Sequence, residues 1–190
     1  METWRRIITV KLFNLCLSAG YVPQPFGLSY TVPIIKGSIS ATSRELDVND
    51  FRGISISPIL SKLFEHCLFT RYAEFFVTSD NQFGFKRGLS TSHAIYTVRR
   101  AVQFYTARSS SVNLCAIDIS KAFERMNHHG LFLNLMQRKV PVNLLLVIEN
   151  WFNTCMTCVR WCSTFSDTYR LLTGTRQGGV FFAIPICLVH

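Results

Sequence analysis

No Asp-Asp pair occurs in this chain of 190 residues, and acidic side chains are scarce altogether, 11 against 20 lysines and arginines. No apolar run is long enough to span a bilayer, so the reading excludes a helical membrane span and expects no membrane partner. No convincing secretory signal is expected either. The first twenty residues imitate one faintly, but Lys11 breaks the apolar run and Asn14 weakens it. Cysteines number seven, an odd count at irregular positions, which argues against a disulfide framework and for free thiols in a reducing compartment. The spacing Cys155-x-x-Cys158, then Cys162, with Cys187 or His190 as a fourth ligand, invites zinc. A structural zinc site joins two such knuckles, and the second is missing, so these read as buried thiols. The expected compartment is intracellular, cytoplasm or nucleus, and not secreted.

What is present is an ample interior. Hydrophobic residues make up 48% of the chain and 16 are Phe, enough for one domain or two small lobes sharing a core. The net charge of +9 is unevenly placed: residues 1–80 carry 8 basic and 7 acidic side chains, residues 81–190 carry 12 and 4. A positive field on the second part suits a polyanionic partner, nucleic acid being the commonest. It also serves plain solubility.

The chain is organised around residues 113–127, NLCAIDISKAFERMN. Leu114 and Ala116 share a side with Asp118, while Cys115, Ile117 and Ile119 take the other, the pattern of a strand buried on both faces. An aspartate ending such a strand is costly near a core unless a cation meets it, often a divalent metal. Alternatively it caps a turn or the next helix.

Around this centre, residues 3–18 read as a helix with Ile7, Ile8, Leu12, Leu15 and Cys16 on its apolar stripe, stopped by Gly20. Residues 28–35 and 53–56 read as arms of a long hairpin carrying Lys36 and Arg52, with Pro33 confining its strand to an edge or an irregular pairing. Such charges are commonly just solvated. Ser57-Pro58 opens a helix to about residue 76 with Leu60, Leu63, Phe64, Cys67 and Leu68 inward. The segment QFGFKRGLSTSHA sets Lys86 and Arg87 in a glycine-rich turn before a helix at 91–107, a place where phosphates can lie, or an ordinary turn. Helices follow at 127–139, with Leu131, Leu135 and Met136 inward, and from Pro141, with Leu144, Leu145, Ile148, Trp151 and Phe152. His128 and His129 read as surface or capping residues. Paired strands are expected at 158–162 and 168–172. In TGTRQGGV, Gly174, Gly178 and Gly179 allow close backbone approach, and Arg176 and Gln177 supply donors.

Taken together, SYTVPIIKG, DFRGISIS, QFGFKRGLST, AIDISKAF and TGTRQGGV resemble, in order and spacing, the motifs of reverse transcriptases of non-LTR, LINE-like retrotransposons. The resemblance covers about residues 12–180. Departures are Gly53 for the usual proline, Glu124 for the usual aspartate after Phe123, and Phe181, Phe182 and Ala183 where the family has a Ser-Pro and an apolar helix.

The resemblance implies an α+β fold, the fingers and part of the palm of a right-hand polymerase, with residues 1–112 fingers-like and 113–190 an incomplete palm. It implies Asp118 as the catalytic metal ligand for two Mg2+ ions. It assigns Lys36, Arg52, Phe123 and Gln177 to the incoming nucleotide, with Phe123 under its sugar, and Lys86, Arg87 and Gly178 to template and primer. The implied partners are an RNA template, a DNA primer and deoxynucleoside triphosphates, with no particular protein partner. The family's Tyr-x-Asp-Asp turn and its thumb have no counterpart in these residues, so the expectation is that the chain as given does not polymerise and at most binds nucleic acid. Its strand at 113–119, lacking that turn as a neighbour, is expected to form an exposed apolar edge.

Overall fold

The computed structural model describes residues 2–37, 45–84, 86, 88–119 and 121–179. It is a mixed α and β arrangement in which one end of a small sheet is rooted in a cluster of helices.

The helical part begins with α1 (Glu2–Ala19), which ends at Gly20, where φ is +62°. A side chain there would also strike Leu146, whose Cβ lies 2.9 Å from the position of a glycine-borne Cβ. Only the second half of α1 meets the body: Phe13, Cys16 and Leu17 are buried, spaced i, i+3, i+4, while Ile7, Ile8 and Leu15 are exposed. The buried stripe is therefore rotated by about a residue from the expected one, and the first turns of α1 stay exposed. A single turn, α2 (Gln24–Gly27), then leads into the sheet.

β1 (Leu28–Ile35) and β2 (Phe51–Ile56) form the long hairpin, antiparallel from Tyr30 opposite Ile56 to Ile35 opposite Phe51. α3 (Ile59–Arg71) continues into a 3-10 turn, Ala73–Phe76. Its N-cap is Pro58 rather than Ser57, which is buried instead. Phe64 and Leu68 face inward as expected, but Leu60, Leu63 and Cys67 are exposed, and the inward face is completed by Ser61 and Glu65. α4 (Thr91–Thr106) starts at a Ser90–His93 capping box and has no buried residue.

α5 (His128–Gln137) is capped by Asn127, whose side chain accepts from the N–H groups of His129 and Gly130. It buries Leu131 and Leu135 but leaves Met136 exposed. α6 (Val142–Thr154) is the central helix, with Leu144, Val147, Ile148, Trp151 and Phe152 buried. Around Trp151 the aromatics close up: its ring stacks on Phe64 at 5.6 Å, and Phe26 lies 6.1 Å away. The indole N–H donates to Phe26 O at 3.1 Å, so the largest core side chain is satisfied without water.

From α6 the chain enters β3 (Met156–Trp161), which runs parallel to β1, Leu28 opposite Met156. β4 (Thr164–Phe165) and β5 (Tyr169–Arg170) both pair antiparallel with β3, giving the order β2-β1-β3-β4 with β5 also on β3. These are the paired strands expected at 158–172. Cys155 is buried but Cys162 is exposed in the turn, so not every thiol of that group is a core thiol.

The principal correction concerns residues 113–119. No strand forms there, the backbone is irregular, and Leu114, Ile117 and Ile119 are exposed. Alternating apolar residues make a strand only when a neighbour offers its N–H and C=O groups. Among the described residues, the sheet's strands are satisfied by one another and none pairs with this segment.

Candidate functional site

Beyond β5 the chain turns back beneath the sheet as residues 171–179. The first half of this loop is laced to the turn that follows Asp118: Gly174 N–H donates to Met126 O at 3.0 Å and Thr175 N–H to Phe123 O at 2.7 Å. Its second half meets the outer edge of β2, where Ser55 N–H donates to Gln177 O at 2.8 Å. Two glycines make this closeness possible. Gly174 has φ +74°, and a Cβ there would lie 2.6 Å from the carbonyl oxygens of both Phe123 and Glu124. Gly178 has φ +128°, and its Cβ would lie 2.8 Å from Ser55 O. Between them Arg176, 2% exposed, donates through Nη1 to Phe26 O at 3.2 Å and Leu28 O at 3.4 Å, tying the loop to the root of β1.

The loop, the turn and the sheet enclose a cavity of about 310 Å³. On its sheet side Ser55, Thr31 and Thr157 form a row of hydroxyls across β2, β1 and β3, with Oγ···Oγ1 3.4 Å and Oγ1···Oγ1 3.3 Å. Phe123 and Glu124 line it from the turn, Arg176 and Gln177 from the loop. It thus offers an aromatic face, hydroxyl and amide groups, and room for a small planar or sugar-like group. Close by, burial pushes the Cys155 thiol up, the Arg176 guanidinium pulls it down, and Glu65 pushes it up again.

Of the residues singled out from the sequence, Phe123 and Gln177 come together here, with Gly178 exposed at the rim against Ser55. Lys36 and Arg52 do not line the cavity. Lys36 is exposed, and its Nζ donates to Asn49 O at 2.8 Å across the open end of the hairpin. Arg52 is exposed on β2, and strand alternation puts it on the sheet face opposite Gly53 and Ser55. Lys86 is half-buried, its Nζ donating to Ser79 O at 2.6 Å. Arg87 lies outside the described residues. Asp118 is exposed in irregular backbone and does not line the cavity. Among the described residues no group of three His, Cys, Asp or Glu side chains is placed to hold a metal ion.

Two contributors escape the sequence reading. The hydroxyl row needs the register of three strands, two of them 126 residues apart, although Thr31 and Ser55 already sit on hairpin arms. His128 is the other: its Nε2 meets Gly174 O at 2.6 Å while its ring packs edge-on to Phe152 at 4.5 Å. Its place soon after the SKAF turn was the available signal.

Comparison with known proteins points to one family. Over 183 residues the chain is 28% identical to a probable RNA-directed DNA polymerase from transposon X-element of Drosophila melanogaster, covering 93% of this chain and 19% of that protein. It is 26% identical over 150 residues to the RNA-directed DNA polymerase from mobile element jockey of Drosophila funebris, covering 75% of this chain and 16% of the relative. A retrovirus-related Pol polyprotein from the type-2 retrotransposable element R2DM of Drosophila melanogaster is 24% identical over 182 residues, 96% of this chain and 17% of its own. The chain therefore spans less than a fifth of the length of these relatives. Residues 36–182, which include both the hairpin end and the loop, match the family described as Reverse transcriptase (RNA-dependent DNA polymerase). The chain belongs to the reverse transcriptase family, in its LINE-like, non-LTR retrotransposon group.

Proposed function

We propose that these residues are the fingers and part of the palm of a right-hand RNA-directed DNA polymerase, divided near residue 112, and that the cavity beneath the sheet receives the templating base or the sugar of the incoming deoxynucleotide. The observation that carries this reading is the convergence of Phe123 and Gln177, from motifs 54 positions apart in the sequence, on one small polar cavity. In this reading the Phe123 ring is the surface on which the sugar rests, where a 2′-hydroxyl would be crowded out. Gln177 contacts the incoming nucleotide and, with Gly178, the template through backbone and amide donors. Lys36 and Arg52 are offered as triphosphate contacts, Lys86 and Arg87 as contacts to the template and primer backbone, all four on resemblance and charge rather than on the cavity.

Magnesium fits less well. A two-ion site needs carboxylates from separate motifs, and Asp118 is the one ligand proposed from this chain. The residues present do not by themselves fit the pair of ions. Residues 1–190 alone are accordingly proposed to bind nucleic acid without extending a primer.

The test is equilibrium binding of a labelled RNA template annealed to a DNA primer, followed at increasing salt, and then extension with magnesium and all four deoxynucleotides. Binding with little sequence preference and a steep loss with salt is expected, each of Lys86→Ala and Arg87→Ala lowering the salt slope by about 1. Salt-insensitive binding, or an unchanged slope in the double variant, would sink the assigned phosphate contacts. Extension by residues 1–190 that disappears in Asp118→Ala would overturn the claim that they do not polymerise.

A further inference from the structure

The loop bearing Gln177 is held by backbone bonds to β2 and to the turn at 123–126, by its own Arg176 side chain, and by His128, which reaches it from α5. His128 Nε2 lies 2.6 Å from Gly174 O. A carbonyl only accepts, so Nε2 carries the proton and donates, in the neutral ring and in the imidazolium alike. The ring cannot swing away freely, because it stands edge-on to the buried Phe152 at 4.5 Å. Gly174 in turn sits where both its left-handed backbone and its contacts with Phe123 and Glu124 forbid a side chain. Its carbonyl therefore points where the backbone puts it, and His128 is the side-chain donor waiting there. Asn127 fixes the start of α5 by accepting from the N–H groups of His129 and Gly130, so the histidine is presented by a capped helix end.

We infer that His128 is a positioning residue: through Gly174 it holds the 174–178 loop closed beneath β2 and so keeps Gln177 at the cavity. The inference rests on the reading of that cavity as the nucleotide and template site, and goes beyond it by naming the residue that keeps the loop in place.

Trypsin provides a readout that does not depend on that reading. Arg176 is buried in the closed loop, so the Arg176–Gln177 bond is protected, and opening the loop exposes it. His128→Phe keeps an aromatic ring against Phe152 and deletes the donor. His128→Gln restores an N–H at about the position of Nε2 without the ring. Cleavage after Arg176, quantified by mass spectrometry against cleavage after Arg71 in the core helix α3, is expected to rise about tenfold or more in His128→Phe and to return near wild type in His128→Gln. Binding of the RNA–DNA hybrid should follow the same order. Wild-type protection in His128→Phe, equal cleavage in both variants, or a parallel rise after Arg71 would each overturn the assignment. Selective opening in His128→Phe with unchanged hybrid binding would leave the positioning role standing and refute the loop as a nucleic-acid surface.

Discussion

The loop at 171–179 and the segment at 113–119 both carry motifs that resemble those of reverse transcriptases, and they are built in opposite ways. The loop is short of apolar residues yet closely held: at least six backbone or side-chain hydrogen bonds tie residues 174–177 to α2, β1, β2, α5 and the turn at 123–126. The segment is rich in apolar residues yet stands exposed among the described residues, with Ile117 88% exposed. Hydrophobicity alone gives a segment no address. What positions the loop is directional: carbonyls and N–H groups at set distances, and glycines where a side chain would collide.

The contrast breaks most visibly at Gly174. Gly174→Ala places a Cβ on two carbonyl oxygens and strains the backbone, and should cost about 2–4 kcal/mol in urea unfolding. Gly37 has nearly the same φ, +62°, with nothing within 4 Å of its Cβ position, so Gly37→Ala should show the conformational part alone, about 1–2 kcal/mol at most. Equal losses in the two variants would mean that the loop is not packed as described.

A smaller effect comes from the thiol beside the loop. Cys155 has its pKa raised above 9.0 by burial, so above that pH the unfolded chain gives up a proton that the folded chain keeps. The folded state then binds more protons, and stability falls as pH rises above 9.0, with no contribution below it. In Cys155→Ala the alkaline fall in melting temperature should be shallower than in wild type. An identical pH profile in the two proteins would show that the thiol is not buried against Arg176 and Glu65.

Least of all should change at Ile117. Ile117→Ser removes an exposed side chain and should alter stability by less than about 0.5 kcal/mol. A loss of about 2 kcal/mol or more would mean that the segment is packed as a buried strand after all.

How far each region was legible follows from the same physics. The arms of the hairpin could be read from β-branched and aromatic runs punctuated by Pro33, Gly37 and Pro58, and helices α4 to α6 from their caps and periodic apolar positions. Periodicity said which residues share a face but not which stretch of a helix meets a neighbour. Hence Ile7 and Leu63 were expected inward while Phe13 and Ser61 are the buried ones. Phe123 and Gln177 were singled out through motif resemblance, and both line the cavity. The hydroxyls of Thr31 and Thr157, and the reach of His128 to Gly174, depend on distances between segments far apart in the chain. Asp118 was the reverse case. Its local pattern is that of a strand, and a strand is a property of two segments.

The parallel pairing of β1 with β3 also sets a timetable. Tyr30 lies beside Cys158, so the inner edge of the hairpin stays unpaired until on the order of 100 further residues have left the ribosome. A two-stranded hairpin is marginal in water on its own, and at about 5–20 residues per second the wait is roughly 5–20 s, far longer than a hairpin takes to form and fall apart. Through that interval β1 presents an open edge to any other chain, so crowding of nascent chains is expected to lower the yield of this fold whatever the stability of the finished one.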